Sequence, residues 1–340
     1  MIGLPSACRR VTFAALATAI LMASATSTPL LASSTTSTPS GAHDPLAEAN
    51  RSLQAGEADK ALALLSSLPD SGIDQALAHN LACRVRITLE QWDAAVNECD
   101  QAVRLAPNNS DFHLWLARAV GQKAGHANFM SAFSLARRAR AEFEESVRLN
   151  PRNADALADL GEFYRQAPSV IGGGIDKAQG TANQLDKVDP SRAHHLRATI
   201  AEGQKDPATA EREFKQAISS SPHPALEWTS LAGFYRRQKR FDEMESAVHS
   251  AQSAAAHDHH AAVALFDGAG ILTAANRNPA LAAKMLNDYL ASPDKTEDAP
   301  AFVAHLRLAH LESQLGDSSA AARERNAALA LAHDYKPSKE

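Results

Sequence analysis

Aromatic residues make up only 5% of the 340 residues, the whole chain holds three cysteines, and 34 basic residues nearly balance 39 acidic ones. Each scarcity excludes something. Few aromatics beside an apolar content of 45%, mostly Ala and Leu, suit closely packed helices better than sheets. A net charge of −5 and a pI near 6.3 give no overall pull toward nucleic acid or an anionic membrane. Three cysteines are too few for a disulfide framework. Apolar runs are short as well. The apolar stretch near the start, Val11 to Met22, is about a dozen residues, whereas a spanning helix needs about 20.

That stretch follows Arg9 and Arg10 and precedes Ala23-Ser24-Ala25, the three-part layout of a secretory signal peptide. Residues 1–25 are therefore expected to be removed after Ala25, or at a later site near Ala32, with no stable membrane insertion afterwards. The chain is then periplasmic or secreted. Cys8 precedes the apolar core, so it does not fit the position of a lipid-modified cysteine. Residues 26–43 (beginning TSTPLLASSTTSTPSG) are Ser, Thr and Pro with little to bury, and read as a flexible tether or an O-glycosylated segment.

What the chain does have is internal repetition. Ala95-Cys99-Ala102-Pro107, Ala139-Phe143-Ser146-Pro151, Ala178-Ala182-Leu185-Pro190 and Ala210-Phe214-Ala217-Pro222 share offsets of four, three and five. The first two offsets put three residues on one helix face, and the proline is expected to end that helix. Upstream, Leu160-Gly161-x-x-Tyr164 and Trp228-x-x-Leu231-Ala232-x-x-Tyr235 repeat a large–small–large pattern that lets a second helix cross closely. Leu116-Ala117-x-x-Val120 is a weaker copy. Together these residues resemble the tetratricopeptide repeat, with Trp, Leu, Gly and Tyr on a first helix and Ala, Phe, Ala and Pro on a second. The resemblance implies an all-α, right-handed superhelical solenoid of about eight antiparallel helix pairs over residues 44–335, with 336–340 as a tail.

The pairs are expected at Pro45 to Leu68 (with Gly56 as the turn), Asp74–Ala106, Asp111–Asn150, Ala154–Asp189, Arg192–Ser221, Ala225–Ala256, His260–Ser292 and Pro300–Ala332. The seventh, over 260–292, is degenerate. Cys83 and Cys99 fall on the two helices of one pair. A one-residue change of register decides whether they face each other, so pairing stays open.

No catalytic constellation stands out, and no cofactor or metal site does. The run 172–174 is glycine, yet Lys177 stands after Asp176 and before Ala178, which breaks the phosphate-loop spacing. A tight turn accounts for it. His257-Asp258-His259-His260 are of metal-ligating type, but no second cluster completes a ligand set, and His194-His195 has no recognisable partner either. Arg137, Arg138 and Arg140 form a short basic run, and Glu142 and Glu144 follow Arg138 and Arg140 at i+4, as on a solvated helix face. Chaperone-tail binders of the resembled class clamp a carboxylate with a basic groove. Asp155, Glu162, Thr229 and Gly233, the groove-facing positions of the clearest repeats, do not supply one.

Successive prolines lie 44, 39 and 32 residues apart, against a repeat length of about 34, so two neighbouring repeats are lengthened. The insertions are Gly121 to about Phe133 and Arg165 to Gly174, both between a first and a second helix. Equivalent turns of a stacked array line one edge, and these carry Phe129, Met130, Phe133, Pro168, Val170 and Ile171 beside Gly172, Gly173 and Gly174. The expectation is a non-catalytic scaffold whose inserted edge binds a protein or peptide partner in the cell envelope. The alternative is a ligand-handling part of an envelope transport system, with a small apolar ligand in those loops. A plainer possibility is that the insertions pack on each other and extend a helix.

Overall fold

The computed structural model describes residues 44–69, 74–258 and 260–336. The expected signal segment, the linker and all of the tail but Lys336 lie outside the described residues. Those residues form sixteen α-helices, one short 3-10 turn and no strand. The helices are α1 (Pro45–Ala55), α2 (Ala58–Ser66), α3 (Gln75–Thr88), α4 (Trp92–Leu105), α5 (Ser110–His126), α6 (Phe129–Leu149), α7 (Ala154–Gln166) and α8 (Ile175–Leu185). They continue as α9 (Pro190–Gly203), α10 (Pro207–Ser220), α11 (Pro224–Arg237), α12 (Phe241–Ala255), α13 (Val263–Ala274), α14 (Pro279–Ala291), α15 (Ala301–Gln314) and α16 (Ser318–Leu331). Each odd-numbered helix packs most heavily on the even-numbered one that follows, giving eight hairpins.

Local chemistry sets the boundaries. Side chains of Asp44, Asp74, Asn109, Asn128, Asn153, Asp189, Asp206, Asn278 and Asp317 accept hydrogen bonds from amides of the first turn they precede. Six hairpin turns contain a residue in the left-handed region: Gly56, Glu90, Lys205, Lys239, Asn276 (followed by a second, Asn278) or Gly316. The two hairpins without such a residue between their helices in the same place are the lengthened ones, where the turn is built differently.

The repeated motif is a packing motif. The first three residues of all four copies are at most 1% exposed, and Leu231 and Ala232 of the first-helix pattern are equally buried. Two sequence expectations need correction. Pro190 does not end a helix; it occupies the first position of α9, where its missing N–H has no partner to lose. The seventh pair begins at Val263 rather than His260, because Ala261 and Ala262 belong to a turn before the helix.

Cys83 and Cys99 face each other and are joined by a disulfide between α3 and α4. Both are fully buried, and their separation of 16 residues corresponds to about 3 kcal/mol in the chain-entropy model.

The first and last hairpins pack on one another, so the array closes. Leu46, Ala49, Leu53, Ala58 and Ala61 share one buried cluster with Phe302, Ala328 and Ala332. Each large side chain buried this way contributes about 1.5–3 kcal/mol. Polar contacts reinforce the seam. Gln54 Nε2 donates to Glu297 Oε1 (3.1 Å), and the Glu297 N–H donates back to Gln54 Oε1 (3.2 Å). The His333 N–H donates to Asp59 Oδ2 at 2.7 Å, and the Tyr335 hydroxyl donates to Glu90 Oε1 at 2.9 Å. Gly56 marks the tightest approach: its φ is +75°, and a Cβ there would lie 2.3 Å from the backbone nitrogen of Ala301.

Gly56→Ala therefore strains its own turn and pushes α15 away. It should cost about 2–3 kcal/mol. Hydrogen exchange should speed up in α15 as well as in α1; unchanged protection of α15 would mean that the two hairpins do not depend on each other.

Candidate functional sites on the inserted edge and the inner face

The first lengthened repeat is not a loop. Residues 121–126 continue α5, Phe129–Phe133 form the start of α6, and only Ala127 and Asn128 separate the two helices. The extension is anchored on α4, where His126 stacks on Trp92 at 5.2 Å and Lys123 pairs with Asp93 at 2.7 Å. The second insertion is irregular. Pro168 leads into the 3-10 turn Ser169–Ile171, which packs against α6. Arg140 Nη1 donates to the Ile171 carbonyl at 3.0 Å, which ties the second insertion to the body of α6, the helix that Phe129–Phe133 begins.

Residues 172–174 are spent on this turn. Their N–H groups donate to the carbonyls of Ser169, Pro168 and Tyr164, at 2.9, 3.1 and 2.8 Å. Amides turned inward in this way offer no cradle to a phosphate. Gly172 has φ +93° and Gly173 is crowded by the Ala167 carbonyl, so both positions need glycine. Of the edge's apolar side chains, Phe129, Met130 and Val170 are exposed at 77%, 77% and 71%, while Phe133 and Ile171 are half-buried and Pro168 is exposed.

The other sequence candidates resolve into pairs. Arg140 pairs with Glu144 as its spacing allows, but Arg138 reaches Asp100 on α4, and Glu142 is held instead by His113 Nδ1 at 2.7 Å. Asp258 bonds His223 Nδ1 and the His260 N–H, and His194 and His195 each bond one glutamate, Glu213 and Glu227. Among the described residues no group of three or more His, Cys, Asp or Glu could hold a metal ion, and no helix is long and apolar enough to cross a membrane.

A second site carries no sequence signature at all. Successive first helices touch one another (α1 with α3, α3 with α5, α5 with α7, α7 with α9, α11 with α13), so they line the inner face of the array. There the loop between α14 and α15 brings Glu297 and Asp298 against α3, α5 and α7. The result is a cleft of about 450 Å³ lined by Asn80, Arg84, Trp115, Arg118, Asp155 and neighbouring residues. Arg84 and Arg118 both lie over the Trp115 ring, 5.0 and 4.5 Å from its centre. Arg84 Nε donates to Glu297 Oε2 at 3.0 Å, Arg118 Nε to Asp159 Oδ2 at 2.6 Å, and Arg192 Nη1 to Asp155 Oδ1 at 2.6 Å. Arg84 and Glu297 stand 213 positions apart, which is why sequence reading misses the pair. Asp155 is the one groove position anticipated from sequence that lines this cleft; Glu162 is tied to Arg165, and Thr229 is buried.

No protein-family model matches the chain, and no curated protein is significantly similar to it in sequence. Solved structures similar to it include a thermophilic TPR protein of Thermus thermophilus, 18% identical over 56% of this chain and 97% of that one, with a TM-score of 0.48. YrrB, a TPR protein with an unusual peptide-binding site, is 19% identical over 55% of this chain and 89% of that one (TM-score 0.37). The C-terminal part of a TPR repeat-containing protein of Cytophaga hutchinsonii covers 86% of this chain and 96% of its own at 11% identity (TM-score 0.41). At such scores the fold rests on this chain's own hairpins and their buried Ala-Phe-Ala positions. It is a tetratricopeptide-like α-solenoid.

The solenoid's inner face perturbs several acids and bases in one direction. Burial and the neighbouring Glu297 push the Asp298 carboxyl up to about 8, with Arg118 pulling the other way. Burial raises Asp267 to about 6 against the pull of Arg307. His113 is raised by its bond to Glu142, and His195 is raised because Glu227 outweighs burial. A raised folded value means stability that is full below the unfolded value and lost as pH climbs through the folded one. For Asp267 and Asp298 that window runs from about 4 to about 6 and about 8, and for the histidines it opens near 6.5. Glu211 works oppositely. Hydrogen bonds from Arg240, Lys215 and Tyr235 overcome burial and hold it at about 2, so its contribution fades only in strong acid. The melting temperature should therefore be higher at pH 5.5 than at pH 8.5. Asp298→Asn, which mimics the protonated acid, should raise it by about 2 °C or more at pH 8.5 and flatten the slope between pH 6 and 8. An unchanged slope in thermal denaturation would contradict this placement of Asp298.

Proposed function

We propose that the chain is a non-catalytic scaffold that holds a partner protein or peptide in the cell envelope, and that the inserted edge is its partner-facing surface. That surface comprises Phe129, Met130, Phe133, Pro168, Val170 and Ile171, shaped by the turn at 172–174. One observation carries the reading. Phe129, Met130 and Val170 are the three most exposed large apolar side chains among the described residues, and all three lie on the two lengthened repeats. Large apolar residues this exposed, gathered on two adjacent repeats, mark interaction sites. Lengthened repeats are where such arrays build binding faces.

Export is supported by the signal-peptide layout around Arg9, Arg10 and Ala25, and by the buried Cys83–Cys99 disulfide, since such bonds persist in oxidising compartments. The second reading, a ligand-handling part of envelope transport, draws on the same apolar residues. Side chains this exposed do not enclose a small molecule, which needs most of its surface buried, and this favours the protein partner.

The test is site-specific photo-crosslinking in cells. A photoreactive residue at Phe129 or Val170 should give one discrete adduct, whereas the same residue at Leu329, an exposed leucine on α16, should give none. Phe129→Ser should abolish the Val170 adduct while leaving stability within about 0.5 kcal/mol. Equal labelling at all three positions would overturn the edge as the partner surface.

A further inference from the structure

We propose that the inner cleft at the seam is a second binding site, separate from the inserted edge, which takes a lysine ammonium group carried on a peptide. Three observations on the cleft converge.

The first is its charge. Asp74, Asp111, Asp155, Glu297 and Asp298 line it against two arginines, Arg84 and Arg118. Both arginines are already committed, Arg84 to Glu297 and Arg118 to Asp159, which lies outside the lining. Three of the acids have donors of their own: Asp74 caps α3 through the Leu77 N–H, Asp111 accepts from Asn153 Nδ2, and Asp155 accepts from Arg192. Among the described residues no side chain donates to Asp298. It is the acid left over.

The second is an unsatisfied donor. Asn80, on the cleft wall from α3, is 3% exposed, and its Nδ2 has no hydrogen-bond partner among the described residues. A buried amide without a partner costs about 1–3 kcal/mol. An acceptor entering the cleft removes that penalty, and a peptide carbonyl is such an acceptor. Cation and carbonyl together are what a lysine residue within a peptide presents. A volume of about 450 Å³ is of the size that takes a few residues.

The third is electrostatic. Burial, and then Glu297 on its own loop, Asp155 on α7 and Asp267 on α13, hold the Asp298 carboxyl up at about 8 against the pull of Arg118 on α5. Near pH 7.5 much of it is protonated. Entry of an ammonium group restores the carboxylate, so binding releases a proton to solvent. The cleft exists only while the array is closed, because Glu297 and Asp298 reach it from the loop that leads into the last hairpin. Occupancy and closure are thus coupled.

Titration calorimetry of the full chain with tetralysine amide tests this, with the same peptide fully acetylated at its amines as the comparison. At pH 7.5 and low salt, tetralysine should bind with net proton release, read from the dependence of the heat on buffer ionisation enthalpy. The acetylated peptide should bind at least about tenfold more weakly. Asp298→Asn should weaken tetralysine about tenfold and abolish the proton release. Asp242→Asn, on a side chain that is 96% exposed, should change neither, and Phe129→Ser should also leave binding intact. Absent tetralysine binding, equal binding of the two peptides, equal losses in Asp298→Asn and Asp242→Asn, or proton release that survives Asp298→Asn would each overturn the site. None of these outcomes bears on the crosslinking at Phe129, so the two surfaces stand or fall separately.

Discussion

Every internal hairpin of this array buries two faces against two neighbours, but the first and the last have only one neighbour each in sequence. Solenoids ordinarily meet that problem with terminal repeats whose outer face is polar. Here the outer faces are apolar, and they cover each other. Leu46, Leu53 and Ala58 of the first hairpin lie in one buried cluster with Phe302, Ala328 and Ala332 of the last. Gly56 keeps the approach close enough for Ala301 to fit against it. Closure therefore replaces capping, and it demands that each hairpin turn by the right amount for the two ends to meet.

The functional geometry depends on the same constraint. Gln54 and Arg84, from the first two hairpins, hold Glu297 from the far end of the chain. That contact carries the α14–α15 loop into the inner face and completes a cleft around Trp115. The cations there are spent on internal pairs, so the cleft keeps an excess of carboxylates and one unpaired amide at Asn80. The inserted edge owes nothing to closure. It is built by helix extension in one repeat and by a glycine turn in the next, and Arg140 of α6 holds that turn through the Ile171 carbonyl. An apolar outer edge and an acidic inner cleft give one scaffold two chemically distinct surfaces.

The hairpins were legible in the sequence because packing repeats. Ala139-Phe143-Ser146 and Ala210-Phe214-Ala217 occupy equivalent buried positions and carry the same spacing. The reading erred where one residue type serves two purposes: Pro190 looks like a stop and is a start. Repeat seven, read as degenerate, still keeps a small residue at the helix crossing: Gly268, where Met285 packs hard against the helix. The insertions were located correctly, yet the first proved helical, since 121–126 simply continue the face of α5. The cleft was illegible for a different reason. Its decisive contact spans 213 residues, and no local period encodes where the two ends of a solenoid meet.

Closure is the claim on which the cleft and the mutual covering of the ends both rest, and a distance across the seam tests it most directly. Lys60 and Asp334 are exposed neighbours of Asp59 and His333, whose contact ties α2 to the chain after α16. Spin labels on cysteines placed at these two positions, in a Cys8→Ser background, report that separation by double electron–electron resonance. A closed array gives one narrow, short distance that disappears in Gly56→Ala. A broad distribution at long distance in the unsubstituted chain, unaltered by Gly56→Ala, would contradict closure and remove the cleft with it.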